Sequence, residues 1–312
     1  MQHARDASQA EPELEIERED FAASTPSPEA PSRLVIVTYN IRYAVGSHLI
    51  GGSLLRRAGL GWPGRRPRLV AGNIRQASRV LSDGARLPRA DVIALQEADR
   101  GTLRAGGRHV ARELAAELKM NYVRAHVPTP ADVEPADRKW WLDFEERMRR
   151  GEEGDTGVAL LSRLPLSRAE RVELPWDVCP WRPRLAVTAA VPFGGQSLHV
   201  YNAHIDTHAS VAGQLRQHRA ILKLAARTLE PTVLLGDFNT MNDEGRRAAR
   251  TLLEEHGYAT PLPTNAPTWR SGPIRHHFDW IFVRGARVLR WGVARVRGIS
   301  DHWPVWVEIE PE

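Results

Sequence analysis

TVLLGDFN, Thr232–Asn239, decides how this chain folds. Four residues of buried-strand character run into Gly236, which permits a sharp strand exit. Asp237 and Asn239 then project to the same side, two residues apart. A carboxylate beside an amide can orient a water and bind a phosphoryl oxygen. The plain alternative is an Asx-turn, in which both side chains only cap a loop. The same arrangement recurs along the chain. VTYN ends in Asn40, VIALQE ends in Glu97, YNAHID carries Asn202 and His204, FDWIF carries Asp279, and SDHWP carries Asp301 and His302. Each of these groups closes or opens an apolar run. Burying such a group without a partner costs about 2–7 kcal/mol. Repeated at several strand ends, the pattern implies strands converging on one polar pocket, with the makings of a metal-dependent hydrolase.

The residue types point to a chemistry. Glu97, where a strand leaves the core, is a hard oxygen ligand suited to Mg²⁺ or Mn²⁺, although a Glu after a strand is more often a solvated cap. His302 follows Asp301 directly, and Asp279 is a candidate partner to hold its tautomer and stabilise its charged form. Asn202 and His204 share one face of an extended strand, from which His204 could donate to a phosphate oxygen; a core histidine satisfied by backbone fits that strand equally well. Other chemistries lack their markers. There is no GxSxG elbow, no P-loop and no HExxH. Cys179, the one cysteine, has no evident base beside it and rules out an internal disulfide framework.

Strands are expected at Leu34–Asn40, Val92–Gln96, Gly157–Ser162, Leu185–Val191, Ser197–Ala203, Thr232–Gly236, Asp279–Val283 and Pro304–Ile309. Helices are expected at Leu69–Leu81, Gly107–Leu118 and Gly213–Thr228. Gly46–Pro67 and Thr129–Gly154 are Arg-rich and irregular and read as surface loops. Strands with intervening helices but no regular βα alternation favour a mixed, layered α/β architecture. Residues 1–32 hold eight acidic side chains and two arginines and read as a disordered acidic tail, with a loosely bound arm as the alternative. Residues 33–312 show no linker or repeat and read as one domain.

The net charge is +5, and the tail carries −6, so the body carries +11. A basic body suits a polyanionic partner such as nucleic acid or a phospholipid headgroup. Only Lys119, Lys139 and Lys223 are lysines, and so strong an arginine skew also follows from a GC-rich genome. No run of about 18 apolar residues exists, so no transmembrane helix is expected. No secretory signal pattern is visible, and a cytoplasmic monomer is the simplest expectation.

Taken together and in order, TYN, LQE, GVALLS, NAH, GDFN, DWIF and SDHWP resemble the endonuclease/exonuclease/phosphatase superfamily over roughly Arg33 to Ile309. The resemblance implies a four-layer αββα sandwich: two mixed β-sheets face to face with helices outside. It implies Mg²⁺, with Mn²⁺ as the alternative, in one or two ions. By position, Asn40 and Glu97 match the metal-site pair, and Asp301, which precedes His302 at the site, is a further metal candidate. His204 matches the phosphate-contacting histidine, with Asn202 and, more weakly, Arg184 as further phosphate contacts. Asp237 and Asn239 match the residues that position or deprotonate water, and Asp279 matches the partner of His302. The implied activity is hydrolysis of a phosphoester, with a small or lipid-linked phosphodiester first and a nuclease as the alternative; a non-catalytic binding protein on this scaffold fits least. No PAWCDR-like stretch is present, which argues against an inositol polyphosphate 5-phosphatase. LPWDVCPWRPR, Leu174–Arg184, and Trp140–Trp141 could line a substrate pocket, or simply pack.

Overall fold

A computed structural model describes residues 16–22, 30–46, 65–128, 153–175 and 184–312. In chain order the strands are β1 (Glu17–Glu19), β2 (Leu34–Asn40), β3 (Val92–Gln96), β4 (Asn121–Pro128), β5 (Asp155–Ser162), β6 (Ser167–Glu173) and β7 (Leu185–Phe193). They continue as β8 (Gln196–His204), β9 (Thr232–Asp237), β10 (Trp269–Ser271), β11 (Ile274–His276), β12 (Asp279–Arg284), β13 (Ala286–Val293) and β14 (Val305–Pro311). The helices are α1 (Arg65–Ser82), α2 (Val110–Leu118), α3 (Val211–Ala225) and α4 (Asp243–Glu255).

Period-two alternation makes the layers. In β2, Leu34 and Ile36 join Val92, Ala94, Val187, Val200, Val233, Leu235 and Ile281 in a core between two sheets. Val35, Val37 and Tyr39 face the other way, onto Val70, Ile74 and Leu81 of α1 and Leu114 of α2. Behind the second sheet, Tyr201, Leu234, Phe238 and Phe282 meet Ile221 of α3 and Leu252 and Leu253 of α4. The result is helix, sheet, sheet, helix, the expected four-layer sandwich. The larger sheet runs β1-β4-β5-β3-β2-β14-β13 and the smaller β12-β9-β8-β7-β6. Among the described residues no helix is long and apolar enough to cross a membrane.

The same alternation explains the polar strand ends. Along β2 the inner face reads Leu34, Ile36, Thr38, Asn40; along β8 it reads Leu198, Val200, Asn202, His204; along β9 it reads Val233, Leu235, Asp237. Each face is apolar at one end and polar at the other. Parallel pairing of β2 with β3, and of β8 with β9, puts these polar ends together. The antiparallel pairing of β12 with β9 sets Asp279 opposite Asp237.

Several expectations need correction. Residues 16–22 are not a disordered tail. Glu17–Glu19 pairs with the edge of β4, Phe21 stacks on Tyr122, and Glu17 meets Arg124, Tyr122 and His109. Burial opposes the charge on Glu17, but the bonds from His109 and Tyr122 outweigh it and hold the carboxyl at about 2. The acidic run looked unstructured because its partners lie about a hundred residues away. Helix α4 was not anticipated: DEGRRAARTLLEE is mostly polar, with Gly245 in its first turn, and only Ala249, Leu252 and Leu253 supply an apolar seam. Its start is capped by Asn242, which accepts from the Gly245 N–H. Strands β4, β6 and β13 were likewise missed, being short of uninterrupted Val, Ile and Leu. The loop expected to end at Pro67 ends earlier, because α1 starts at Arg65 with Pro67 in its first turn, where a missing N–H costs little. Residues 47–64, nearly all of Thr129–Gly154 with Trp140–Trp141, and Trp176, Cys179, Trp181 and Arg182 lie outside the described residues.

Candidate active site

Asp237 is the hub of the polar ends. Its Oδ2 accepts from Asn40 Nδ2 at 2.9 Å and lies 3.6 Å from His204 Nε2 and 3.8 Å from His302 Nε2. Asn40 Nδ2 also donates to Glu97 Oε1 at 3.1 Å, and Glu97 Oε1 lies 4.0 Å from His204 Nε2. On the far side of His302, Nδ1 faces Asp279 Oδ2 at 2.9 Å and Oδ1 at 3.1 Å. Arg184 Nη1 stands 2.9 and 3.1 Å from the two ring nitrogens of His204. Asn40, Glu97, His204, Asp237, Asn239, Asp279, Asp301, His302 and Arg184 are all buried.

Local backbone sets these positions. Gly236 is essential to GDFN, though not as a strand exit: it lies within β9 at φ +142°, and a Cβ there would fall 1.9 Å from the Ala203 carbonyl oxygen. Only glycine lets β8 and β9 come this close and bring His204 level with Asp237. Glu97 and Asn239 adopt left-handed φ values of 53° and 50°. Such residues carry about 1–2 kcal/mol of strain each and occur where surrounding contacts over-determine them. For Asn239 those contacts are its N–H on Asp237 Oδ1 and its Nδ2 on the Ile205 carbonyl. Asp279 is fixed at the strand start by Thr268 Oγ1, which accepts from the N–H groups of Phe278 and Asp279.

The electrostatics suit hydrolysis. Burial, with Asp279 adding to it, raises the Asp237 carboxyl above its ordinary range, against the pull of His302 and the bond from Asn40. For His302, burial disfavours the charge, but Asp279 and Asp237 outweigh it and push the imidazole up to about 10. His302 is therefore a held imidazolium at neutral pH, facing Asp237.

Asn202 does not serve the phosphate. Its Nδ2 donates to the carbonyls of Leu95 and Ala159, and its oxygen accepts from Gln96 Nε2 at 2.6 Å. Both amide hydrogens are used, so no donor remains for a substrate. Asn202 joins the two sheets instead. Three residues of the site were not anticipated. Arg42 Nη1 holds Asp301 Oδ2 at 3.1 Å, and its N–H donates to Asn40 Oδ1. Ser300 Oγ donates to the Asn40 carbonyl. Gln96 bridges Thr38 and Asn202. Arg42 stands two residues from Asn40, but nothing in that spacing distinguishes it from a solvated arginine.

The donor set fits a hard divalent ion. Asp237, Asp279 and His302 offer ligand atoms within 4.8 Å of one another. Asp279 is turned to His302, and Glu97 lies across Asn40 from Asp237 as a further carboxylate that such an ion could use. As oriented here Asn40 links those two carboxylates through its N–H groups; serving an ion through its oxygen requires the amide to turn over.

A match to the Endonuclease/Exonuclease/phosphatase family spans residues 37–302. The chain belongs to this family. Its members are generally hydrolytic phosphoesterases and typically depend on a divalent metal. Among curated relatives, the Escherichia coli (strain K12) protein YbhP, itself uncharacterized, is 27% identical over 248 residues, 73% of this chain and 87% of that protein. Among solved structures, an endonuclease/exonuclease/phosphatase from Beutenbergia cavernae DSM 12333 has a TM-score of 0.61 at 22% identity, covering 90% of this chain and 72% of that one. D. rerio TDP2, complexed with a single-strand DNA product, has a TM-score of 0.58 at 16% identity, covering 90% of this chain and all of that one, 100%. At these identities the structural likeness concerns the fold.

Proposed function

We propose that the protein is a divalent-metal-dependent phosphodiesterase that hydrolyses a small or lipid-linked phosphodiester by in-line attack of water. The observation that carries this reading is the position of Asp237 between Asn40, His204 and the Asp279–His302 pair, all within 3.8 Å of one carboxylate oxygen or one bond removed from it. A base raised towards neutral pH beside a fixed imidazolium suits general-base activation of water with electrostatic stabilisation of the charge that develops on phosphate.

Asp237 receives the proton of the attacking water, and Asn239 in its left-handed turn fixes the loop that carries it. The water oxygen forms its bond to phosphorus as the bond to the leaving oxygen breaks, and the leaving oxygen takes a proton from solvent. His302, kept charged by Asp279, faces the negative charge that builds up on the phosphoryl oxygens. His204 and Arg184 present a second polar wall to the same space. A divalent ion held at Glu97 would supply Lewis-acid neutralisation of that charge. Mg²⁺ suits this oxygen-rich set, with Mn²⁺ as the alternative.

The charge of +11 over residues 33–312 favours one second reading, a nuclease that grips a polyanion. A metal-dependence screen over DNA, RNA, lysophospholipid, sphingomyelin and bis-p-nitrophenyl phosphate, with Glu97→Ala as control, separates the two. Turnover of a small or lipid phosphodiester that resists salt supports the first. Turnover confined to nucleic acid and falling steeply with salt supports the second. No hydrolysis beyond the Glu97→Ala level on any of these refutes both and leaves a binding protein.

A further inference from the structure

We propose that Glu17, on the N-terminal strand β1, is a positioning residue of the active site, holding the backbone that carries Glu97 through the buried guanidinium of Arg124. Its bearing on catalysis rests on the metal-dependent reading above; the positioning of the backbone does not.

Glu97 follows β3 directly and has a left-handed φ of 53°. Such a backbone persists only where its surroundings over-determine it. Three hydrogen bonds do so here. The Glu97 carbonyl accepts from the Tyr43 N–H at 3.0 Å, and the Ala98 N–H donates to the Gly157 carbonyl at 2.9 Å. The Ala98 carbonyl accepts from Arg124 Nε at 2.9 Å. Two of these bonds join backbone to backbone. The third comes from a side chain, so it is only as secure as the hold on that side chain.

Arg124 lies on β4 with its side chain 0% exposed, and a buried charge has to be paired. Its Nη2 pairs with Asp155 Oδ1, and its Nη1 lies 3.3 Å from Glu17 Oε2. Asp155 is shared: its Oδ2 takes Nε and Nη2 of Arg100 at 2.9 and 2.6 Å. Two guanidinium groups thus meet two carboxylates, and one of the two is Glu17. The register of β1 on β4 sets Glu17 opposite Arg124, and Glu17 Oε1 accepts from the Tyr122 hydroxyl at 2.5 Å and meets His109 Nε2. Gly157 makes the room: a Cβ there would stand 2.4 Å from the Ala125 carbonyl oxygen and 3.1 Å from Arg124 Nε. The match to the family begins at residue 37, so Glu17 reaches the site from outside that stretch. Without its charge, Asp155 alone serves both guanidinium groups. Arg124 is then drawn towards Asp155, and the Ala98 carbonyl loses its donor. Glu19 is the internal control, because it sits on the same strand but pairs at the surface with Arg112, at 36% and 51% side-chain exposure.

Glu17→Gln removes the charge and almost no volume. In the NMR spectrum of metal-free protein its Ala98 backbone amide should shift, while Glu19→Gln leaves that signal in place. Mn²⁺ affinity, read by electron paramagnetic resonance, should fall by about tenfold in Glu17→Gln, as for groups that orient a ligand from behind, and stay at the wild-type value in Glu19→Gln. An unmoved Ala98 signal in Glu17→Gln, wild-type Mn²⁺ affinity in that variant, or an equal effect from Glu19→Gln overturns the assignment. Should Glu17→Gln not fold, Glu17→Asp, which draws the charge back by one methylene, is read in the same way. A wild type that binds no Mn²⁺ defeats the metal-dependent reading, and the Ala98 signal then decides the role of Glu17 by itself.

Discussion

Replacing Asp279 by Asn removes one charge and almost no volume, and so isolates what holds His302 as an imidazolium. In the wild type Asp279 places both oxygens within 3.1 Å of Nδ1, with both side chains buried. An opposite charge this close shifts a pKa by about 1–3 units, and each unit corresponds to about 1.4 kcal/mol. His302 starts at about 10, so in Asp279→Asn it should titrate between about 7 and 9 in metal-free protein. Its folded pKa lies above the unfolded value of about 6.5. The stabilisation is therefore complete below about pH 6.5 and disappears as pH rises through the folded pKa. Breaking a buried pair costs about 3–5 kcal/mol, so the variant should lose that much at pH 6 and converge with the wild type above about pH 10. Turnover of bis-p-nitrophenyl phosphate should fall by about 100-fold or more, as for loss of an acid–base or electrostatic group. The assays are NMR titration of the His302 ring, urea unfolding at several pH values, and kcat/KM against pH. Wild-type kcat/KM with an unmoved His302 titration in Asp279→Asn would refute the reasoning.

Four further outcomes are expected. Asp237→Ala and His302→Ala each lower kcat by about 100-fold or more while the circular dichroism spectrum is retained; near-normal rates in either one remove it from the site. Asn202→Ala costs about 2–3 kcal/mol in urea unfolding, through the buried groups it leaves unpaired, with KM unchanged; a raised KM at normal stability restores the phosphate-binding role withdrawn above. Gly236→Ala drives a Cβ to within 1.9 Å of the Ala203 carbonyl and should cost more than about 4 kcal/mol, read from the unfolding midpoint. His218, fully buried against Phe238, is depressed by burial to about 3. Its stabilising contribution is present above about pH 6.5 and is lost, at up to about 1.4 kcal/mol per pH unit, as pH falls through about 3. His218→Phe should flatten that slope between pH 6 and 4, and an unchanged slope removes His218 as its cause.

The site residues Asn40, Glu97, His204, Asp237, Asn239, Asp279 and His302 were legible because each interrupts an apolar run at its end. An interruption of that kind is a local signal, readable without knowing where the run goes. The central strands of both sheets were legible for the same reason, being apolar on both faces. Residues whose meaning depends on a distant partner were not. Glu17 and Glu19 looked like a solvated tail until Arg124, Arg112 and Tyr122 were brought beside them. Asn202 looked like a substrate contact because it shares a strand face with His204, yet the opposite sheet lies directly across that face and takes all its hydrogen bonds.

The order and spacing of its short polar clusters were thus enough to specify this protein's layered α/β class, its family and most of the side chains that meet in one buried polar cluster. Period-two alternation carries the inward face of each strand, apolar core and polar end alike, directly in the residue order. What only the tertiary structure decided is how those side chains are shared out: Asp279 to His302, Asp301 to Arg42, Asn202 to the seam between sheets, and Glu97 with Asp237 to Asn40. Hydrogen bonds and ion pairs act over about 3 Å, and the partners that compete for each carboxylate here lie from twenty-three to more than two hundred residues apart. Only the register of the strands settles which of them arrives.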